Sequence, residues 1–248
     1  YHKGIFKENC LEYSNKKVSE IKEDLIKDFE NRGFLEKMYE LSGKVVCRCT
    51  TLCHVKILEN QWFINYSNEG WKEKVKKHLE KMEILPEEAK NNILNTVDWL
   101  DDKACARKTG LGTKFPFDKS WIIESLSDST IYMAYYTIAR IINKKKIKAN
   151  NLTEKLFDYV FLGKGNSDEA SKDSGLEKDI IEEMRKEFEY FYPVDIRVSA
   201  KELVQNHLTF YLFHHVAIWD DENKLPKKIA VNGFVNVEGQ KMSKSKGN

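Results

Sequence analysis

The 248-residue chain has no run of eighteen apolar residues, so no membrane-spanning helix is expected. Its first residues lack the basic-then-apolar pattern of a secretory signal. Charge of one sign is missing too: 41 Lys+Arg stand against 39 Asp+Glu, a formal +2. General attraction to a polyanion is therefore excluded, and any contact with nucleic acid must come from local patches. Neither common glycine-rich phosphate loop occurs, G-x-x-x-x-G-K-[ST] or G-x-G-x-x-G. Cysteine is scarce and odd in number, five in all, with three at 47, 49 and 53. That argues against a disulfide scaffold and for a reducing compartment, with thiols or a metal. Apolar residue is not lacking: 41% hydrophobic and 12% aromatic side chains can bury one large core or two modest ones.

Along the chain, residues 1–6 read as the tail of a strand and 15–17 as a turn. Ile21, Leu25, Ile26 and Phe29 predict a helix over 19–31, with Ser19 as its cap and Gly33 as its stop. Residues 45–58 read as a β-hairpin whose tip holds Cys47, Cys49, Cys53 and His54. Four such ligands on a tight turn can hold a tetrahedral, structural zinc. Adjacent residues of an extended segment point to opposite sides, however, so a hairpin with free thiols stands beside that reading. Trp62 and Phe63 read as core anchors, with a nucleotide-stacking platform as the alternative. A helix over 71–82 turns Val75, Leu79 and Met82 inward. It turns Lys72, Lys74, Lys76, Lys77 and Lys81 outward, either as a solvated face or against a phosphate backbone.

Pro86-Glu87-Glu88 opens a helix to about 94. Gly110 and Gly112, close to Arg107 and Lys108, permit close backbone approach to an anion. A strand over 121–126 runs into Ser127-Asp128-Ser129-Thr130 and a helix over 131–140. Open α/β sheets bind ligands at such junctions. Ser127 or Asp128 would cap that helix. Residues 163–175 read as a flexible loop, and 176–190 as a helix with Ile180, Ile181, Met184 and Phe188 inside. Then come a strand over 194–198, a turn at Ser199-Ala200, and a helix carrying Glu202, His207, His214 and His215. Asp195 and Arg197 could form an ion pair, and Ser199 with Glu202 fits a capping box. His214-His215 reads as structural, since a third metal ligand is missing. A short strand over 231–235 and a turn lead to Lys241-Met242-Ser243-Lys244-Ser245-Lys246-Gly247-Asn248, a bendable segment whose ammonium groups suit phosphate.

The Lys-Met-Ser-Lys-Ser run resembles the signature loop of class I aminoacyl-tRNA synthetases. The wider sequence is similar to their leucyl branch of archaeal and eukaryotic-like type, most specifically over 98–117, 121–136, 192–207 and 231–248. The resemblance implies an α/β fold: the second half of a class I Rossmann-like catalytic domain, preceded by zinc-knuckle-like and helical connecting modules. Residues 1–44 would end an editing insertion, 45–70 form the knuckle-like hairpin, 71–116 the helical connection with a cleft loop, and 117–248 the half-domain. The implied activity is ATP-dependent attachment of leucine to tRNA(Leu) through leucyl-adenylate, with Mg²⁺ accompanying ATP and structural Zn²⁺ as an option.

By position, Lys241 and Lys244 would be catalytic and hold the ATP phosphates with Ser243. Ser199 and Glu202 would face adenosine and ribose. Ser129, Tyr132, His207 and Leu126 would line the amino-acid cavity, and Arg107 a tRNA-end or cleft position. Cys47, Cys49, Cys53 and His54 would be the zinc set. The whole enzyme would be cytoplasmic, monomeric and off the membrane. Four departures mark this chain: Ser199-Ala200 where relatives carry glycines, Leu203 at a family histidine, Leu126 where bacterial relatives carry an aromatic, and a 105–116 loop without the aromatic of its bacterial counterpart. No His-x-Gly-His occurs either, so the first nucleotide half is expected outside this chain, and the chain alone is not expected to activate leucine. A non-catalytic RNA-binding module remains a second reading. A synthetase for isoleucine, valine or methionine is a third.

Overall fold

The computed structural model describes residues 3–47, 49–57 and 59–242, with the backbone alone at 241. The chain divides into two compact units, Tyr1–Glu59 and Asn60–Asn248. In the first, helix α1 (Val18–Asn31) forms where the apolar spacing predicts it. Its cap position is Lys17, which offers no side-chain acceptor, so Ser19 is not the cap. Gly33 ends it at φ 70° with its N–H on the Glu30 carbonyl at 3.1 Å. The expected strand near the amino end reduces to one bridge, Ile5 to Lys17. The expected hairpin reduces to the bridge Val46 to Leu52, closed by Cys47 N–H to the Thr51 carbonyl at 2.9 Å. No described residue of this unit is buried.

The second unit runs β1 (Phe63–Ile64), α2 (Glu69–Lys81), β2 (Glu83–Leu85), α3 (Glu87–Trp99), β3 (Lys103–Ala104), β4 (Ala106–Arg107), β5 (Ile122–Ile123), α4 (Ser125–Asp128), α5 (Tyr132–Lys145), α6 (Glu154–Phe157), α7 (Ser167–Ser174), α8 (Lys178–Phe191), β6 (Arg197–Ala200), α9 (Thr209–Ile218), β7 (Lys228–Asn232), β8 (Asn236–Val237) and β9 (Gln240–Lys241). Its centre is a parallel sheet in the order β2-β7-β6, with Ile84 opposite Ile229 and Val198 opposite Ala230. Parallel neighbours need a crossover, and α9 supplies it between β6 and β7. No charged residue occurs in α9, and Thr209 through Phe213, His215 and Val216 are all buried. A helix apolar on every side belongs in the middle of a core. Helix α2 packs on α9 and α3, and α5 packs on α8. Tyr66, Ile93, Ile138, Phe188, Phe210 and Ile229 join in one hydrophobic core. No described helix is long and apolar enough to cross a membrane.

Several local expectations are corrected. Ser199 and Ala200 stay in β6 because Val231 and Asn232 of β7 lie opposite them. The predicted turn and capping box therefore do not form. The chain makes a 3-10 turn at Lys201–Leu203 and a π-helical turn at Val204–Leu208 before α9. β7 begins three residues before the predicted 231–235 and ends at Asn232. Only Ile122–Ile123 of the strand predicted over 121–126 is extended. Glu124 then caps α4 by accepting from Leu126 N–H at 2.9 Å, and α5 has no side-chain cap from Ser127 or Asp128. The predicted loop at 163–175 contains α7, capped by Asn166, which accepts from Glu169 N–H at 2.9 Å. Helix α3 continues to Trp99. Lys72 is buried, donating to the Asp98 carbonyl at 3.0 Å, and is no part of a solvated face. Trp62 and Phe63 are 40% and 56% exposed, so neither is a core anchor.

Candidate functional site

The three parallel strands end together. A cleft of about 490 Å³ opens there, walled by Pro86 and Ala89 after β2, Glu202 and Val204 after β6, and Asn232 to Phe234 at the end of β7. Ligands of open α/β sheets bind outside the carboxyl ends of the strands, where chain ends diverge and helix starts offer free amides. Glu202 stands exposed on this wall, and Ser199 is buried one turn upstream in β6. The Lys201 ammonium sits 4.3 Å from the centre of the Phe234 ring. From the cleft the chain enters the β8–β9 hairpin, whose tip places Glu238 and Gly239 at φ 50° and 76°. Two left-handed positions are what a two-residue hairpin turn demands. The hairpin delivers the backbone of Lys241. Ser243 and Lys244 lie outside the described residues.

Next to the π-helical turn, two predicted cavity residues meet. His207 Nε2 lies 3.0 Å from the Ser129 carbonyl and 3.1 Å from its hydroxyl. A carbonyl only accepts, so Nε2 carries the proton and Nδ1 the lone pair. That Nδ1 is buried without a partner among the described residues. Burial pulls the His207 pKa down, with the Ser129 hydrogen bond opposing and the Arg197 charge adding, so the ring is neutral near pH 7. Tyr132 opens α5 and accepts a hydrogen bond from Arg197 Nη1 at 2.7 Å. Asp195 pairs with Lys227 at 2.8 Å, which corrects the expected Asp195–Arg197 pair. Leu126 is half-buried against the main core. Sequence reading missed the Arg197–Tyr132 contact; an arginine between Ile196 and Val198 in a strand was the available signal.

Arg107 lies in β4, and its guanidinium bonds the Leu111 carbonyl, folding back on its own loop. A Cβ at Gly112 would come within 2.8 Å of Ile122, which explains the glycine there. Among the described residues no three of His, Cys, Asp or Glu are placed to hold a metal, so Cys47, Cys49, Cys53 and His54 do not converge. Cys49 Sγ instead bonds Thr51 Oγ1 at 3.3 Å, and hydrogen bonds from Thr51 and then Cys47 hold its thiol down at about 7. Both rings of His214-His215 are taken by protein partners, in line with the structural reading.

A parallel α/β half-sheet with a cleft at its strand ends, followed by a hairpin, is an open-sheet architecture of the kind that takes ligands at that edge. Comparison with known proteins sharpens it. A family model described as tRNA synthetases class I (I, L, M and V) matches residues 7–248. The chain belongs to that family. It is 57% identical over 248 residues to the leucine–tRNA ligase of Methanocaldococcus jannaschii, covering all of this chain and 26% of that protein. It is 55% identical over 248 residues to the leucine–tRNA ligase of Archaeoglobus fulgidus, with the same coverage. The chain thus spans about a quarter of the length of these curated relatives. In fold it is similar to a Mycobacterium tuberculosis methionyl-tRNA synthetase in complex with methionyl-adenylate, with TM-score 0.51 and 18% identity over 85% of this chain and 33% of that one.

Proposed function

We propose that this chain supplies the second half of the catalytic domain of a leucine–tRNA ligase. The observation that carries this reading is the match of the whole chain to leucine–tRNA ligases at 57% identity. The strand-end cleft supports it as the nucleotide site, and the Ser129–His207 pair supports it as the leucine site. In the reaction, the leucine carboxylate attacks the α-phosphorus of ATP and pyrophosphate leaves. Transfer to a tRNA ribose follows. Such chemistry asks the protein for orientation and charge stabilisation rather than covalent steps. Lys244, then Lys241, neutralises the phosphates, and Mg²⁺ rides with ATP. Glu202 faces the ribose from the cleft wall. His207 offers its free lone pair to a donor in the amino-acid cavity, and Tyr132, held by Arg197, closes one side of it.

The outer edge of β6 has no strand partner among the described residues. The first nucleotide half would pair there, which places Val198, 61% exposed, inside the complete enzyme. A zinc on Cys47, Cys49, Cys53 and His54 does not fit the arrangement described, and metal analysis of the purified protein tests that. The RNA-binding reading without catalysis, and the readings for isoleucine, valine or methionine, are answered by one experiment. Pyrophosphate exchange in the intact enzyme carrying this chain should depend on leucine and not on the other three. No exchange with any amino acid, or preference for another, refutes the proposal.

A further inference from the structure

Three segments distant in sequence share one buried line of polar groups. Tyr66, wholly buried, places its hydroxyl 3.0 Å from His214 Nε2. His214 Nδ1 lies 2.5 Å from Thr130 Oγ1, and Thr130, 1% exposed, reaches the Ser127 carbonyl at 3.2 Å. Thr130 directly follows Ser129, which holds His207. Only one assignment of protons satisfies every donor. The Ser127 carbonyl must accept, so the Thr130 hydroxyl donates to it. The threonine oxygen then accepts from His214 Nδ1–H, which leaves Nε2 as acceptor for Tyr66 O–H. The imidazole is clamped by aromatic rings: Tyr66 stacks on Trp71 and Phe210 with centroids 5.4 and 4.9 Å apart, and both Tyr66 and Trp71 stack on His214.

We propose that Tyr66, His214 and Thr130 are positioning residues for the amino-acid cavity, a one-way hydrogen-bond chain that fixes the 127–130 loop against α9. This rests on the leucine-site reading above and extends it. Ser129 lies on a link between two helices, α4 and α5, neither of which ends in a side-chain cap there. The link is otherwise held by the Ser129–His207 contact, by Thr113 donating to Asp128 at 3.1 Å, and by Leu126 and Ile131 against the core; the chain is its tie to the buried His214 of α9. A half-satisfied buried network is costly, so each member should hold the next in place. The nucleotide cleft is walled by other residues, so the effect should fall on leucine and spare ATP.

Thr130→Val keeps shape and removes the hydroxyl. In pyrophosphate exchange by the intact enzyme it should raise KM for leucine about tenfold, with kcat and KM for ATP within about twofold. Thr130→Ser should restore KM for leucine. Tyr66→Phe should raise it about threefold, being one bond further from Ser129. In ¹⁵N-histidine spectra, His214 should appear as the Nδ1–H tautomer in the unaltered protein. Thr130→Val with unchanged KM for leucine, equal loss for leucine and ATP, or an Nε2–H His214 overturns the chain. An unaltered enzyme that exchanges no leucine overturns the functional reading, and with it the substrate named here. An active one with unmoved variants overturns this proposal alone.

Discussion

Ser129 and His207 stand 78 positions apart and touch, whereas Cys47, Cys49, Cys53 and His54 fall within eight positions and do not converge. The first pair is carried by elements pressed onto one core: α9 is buried over most of its length, Leu126 packs on that core and Thr130 is buried. Their positions follow from packing, which admits little slack. The second group sits in a unit with no buried described residue, on a turn held by a few backbone hydrogen bonds. Neighbouring side chains of extended backbone diverge unless something forces them together. A shared core thus brings distant residues into contact, which proximity in sequence alone does not do here.

The largest test of that contrast is stability. Phe188→Ala, in the main core, should cost about 3–5 kcal/mol in urea denaturation. Phe29→Ala, on half-buried α1, should cost about 1 kcal/mol. Equal costs would erase the difference. Next comes the site. His207→Ala should lower kcat/KM for leucine about a hundredfold, roughly 2.7 kcal/mol, in pyrophosphate exchange. Acid sharpens the same boundary. Burial lowers His214 to about 4 and His215 to about 3. A histidine whose folded pKa is depressed takes up protons more readily when unfolded, so stability falls as pH drops. Loss should begin below about 6.5, the unfolded value, and run to the folded values, at about 1.4 kcal/mol per pH unit for each ring. Denaturant midpoints measured between pH 7 and 4 check the slope; a flat profile would contradict it. The smallest effect belongs to the cysteines. Cys49→Ser should leave leucine exchange within about twofold, although the thiol alkylates readily near pH 7.5 because its pKa is about 7.

Legibility follows the same line. Helices α2 and α8 were readable because their apolar spacing matches the faces they bury, as with Ile181, Met184 and Phe188, and α1 because its apolar stripe is half-buried. The 163–175 segment was misread because Gly, Ser and Asp content masked the cap at Asn166 and the buried Ala170 and Ser174. Ser199-Ala200 was misread because a strand's end depends on its neighbour's register, which no local pattern encodes. The proposed cavity residues Ser129, Tyr132 and His207 came from family resemblance. The groups that hold them, Arg197 on Tyr132 and His214 on Thr130, act across the fold and carry no sequence spacing. The zinc set came from ligand types on a short turn and from the resemblance, beside a reading with free thiols, and no group of three such ligands is found among the described residues.

The central claim is that the strand-end cleft takes the nucleotide while the loop at Ser129 takes leucine. Hydrogen exchange of the intact enzyme, with and without a non-hydrolysable leucyl-adenylate analogue, tests it most directly. The account predicts slowed exchange at 201–205, 231–234 and 126–132, and none at 45–57. Protection of the cysteine segment with the strand ends unchanged would contradict it.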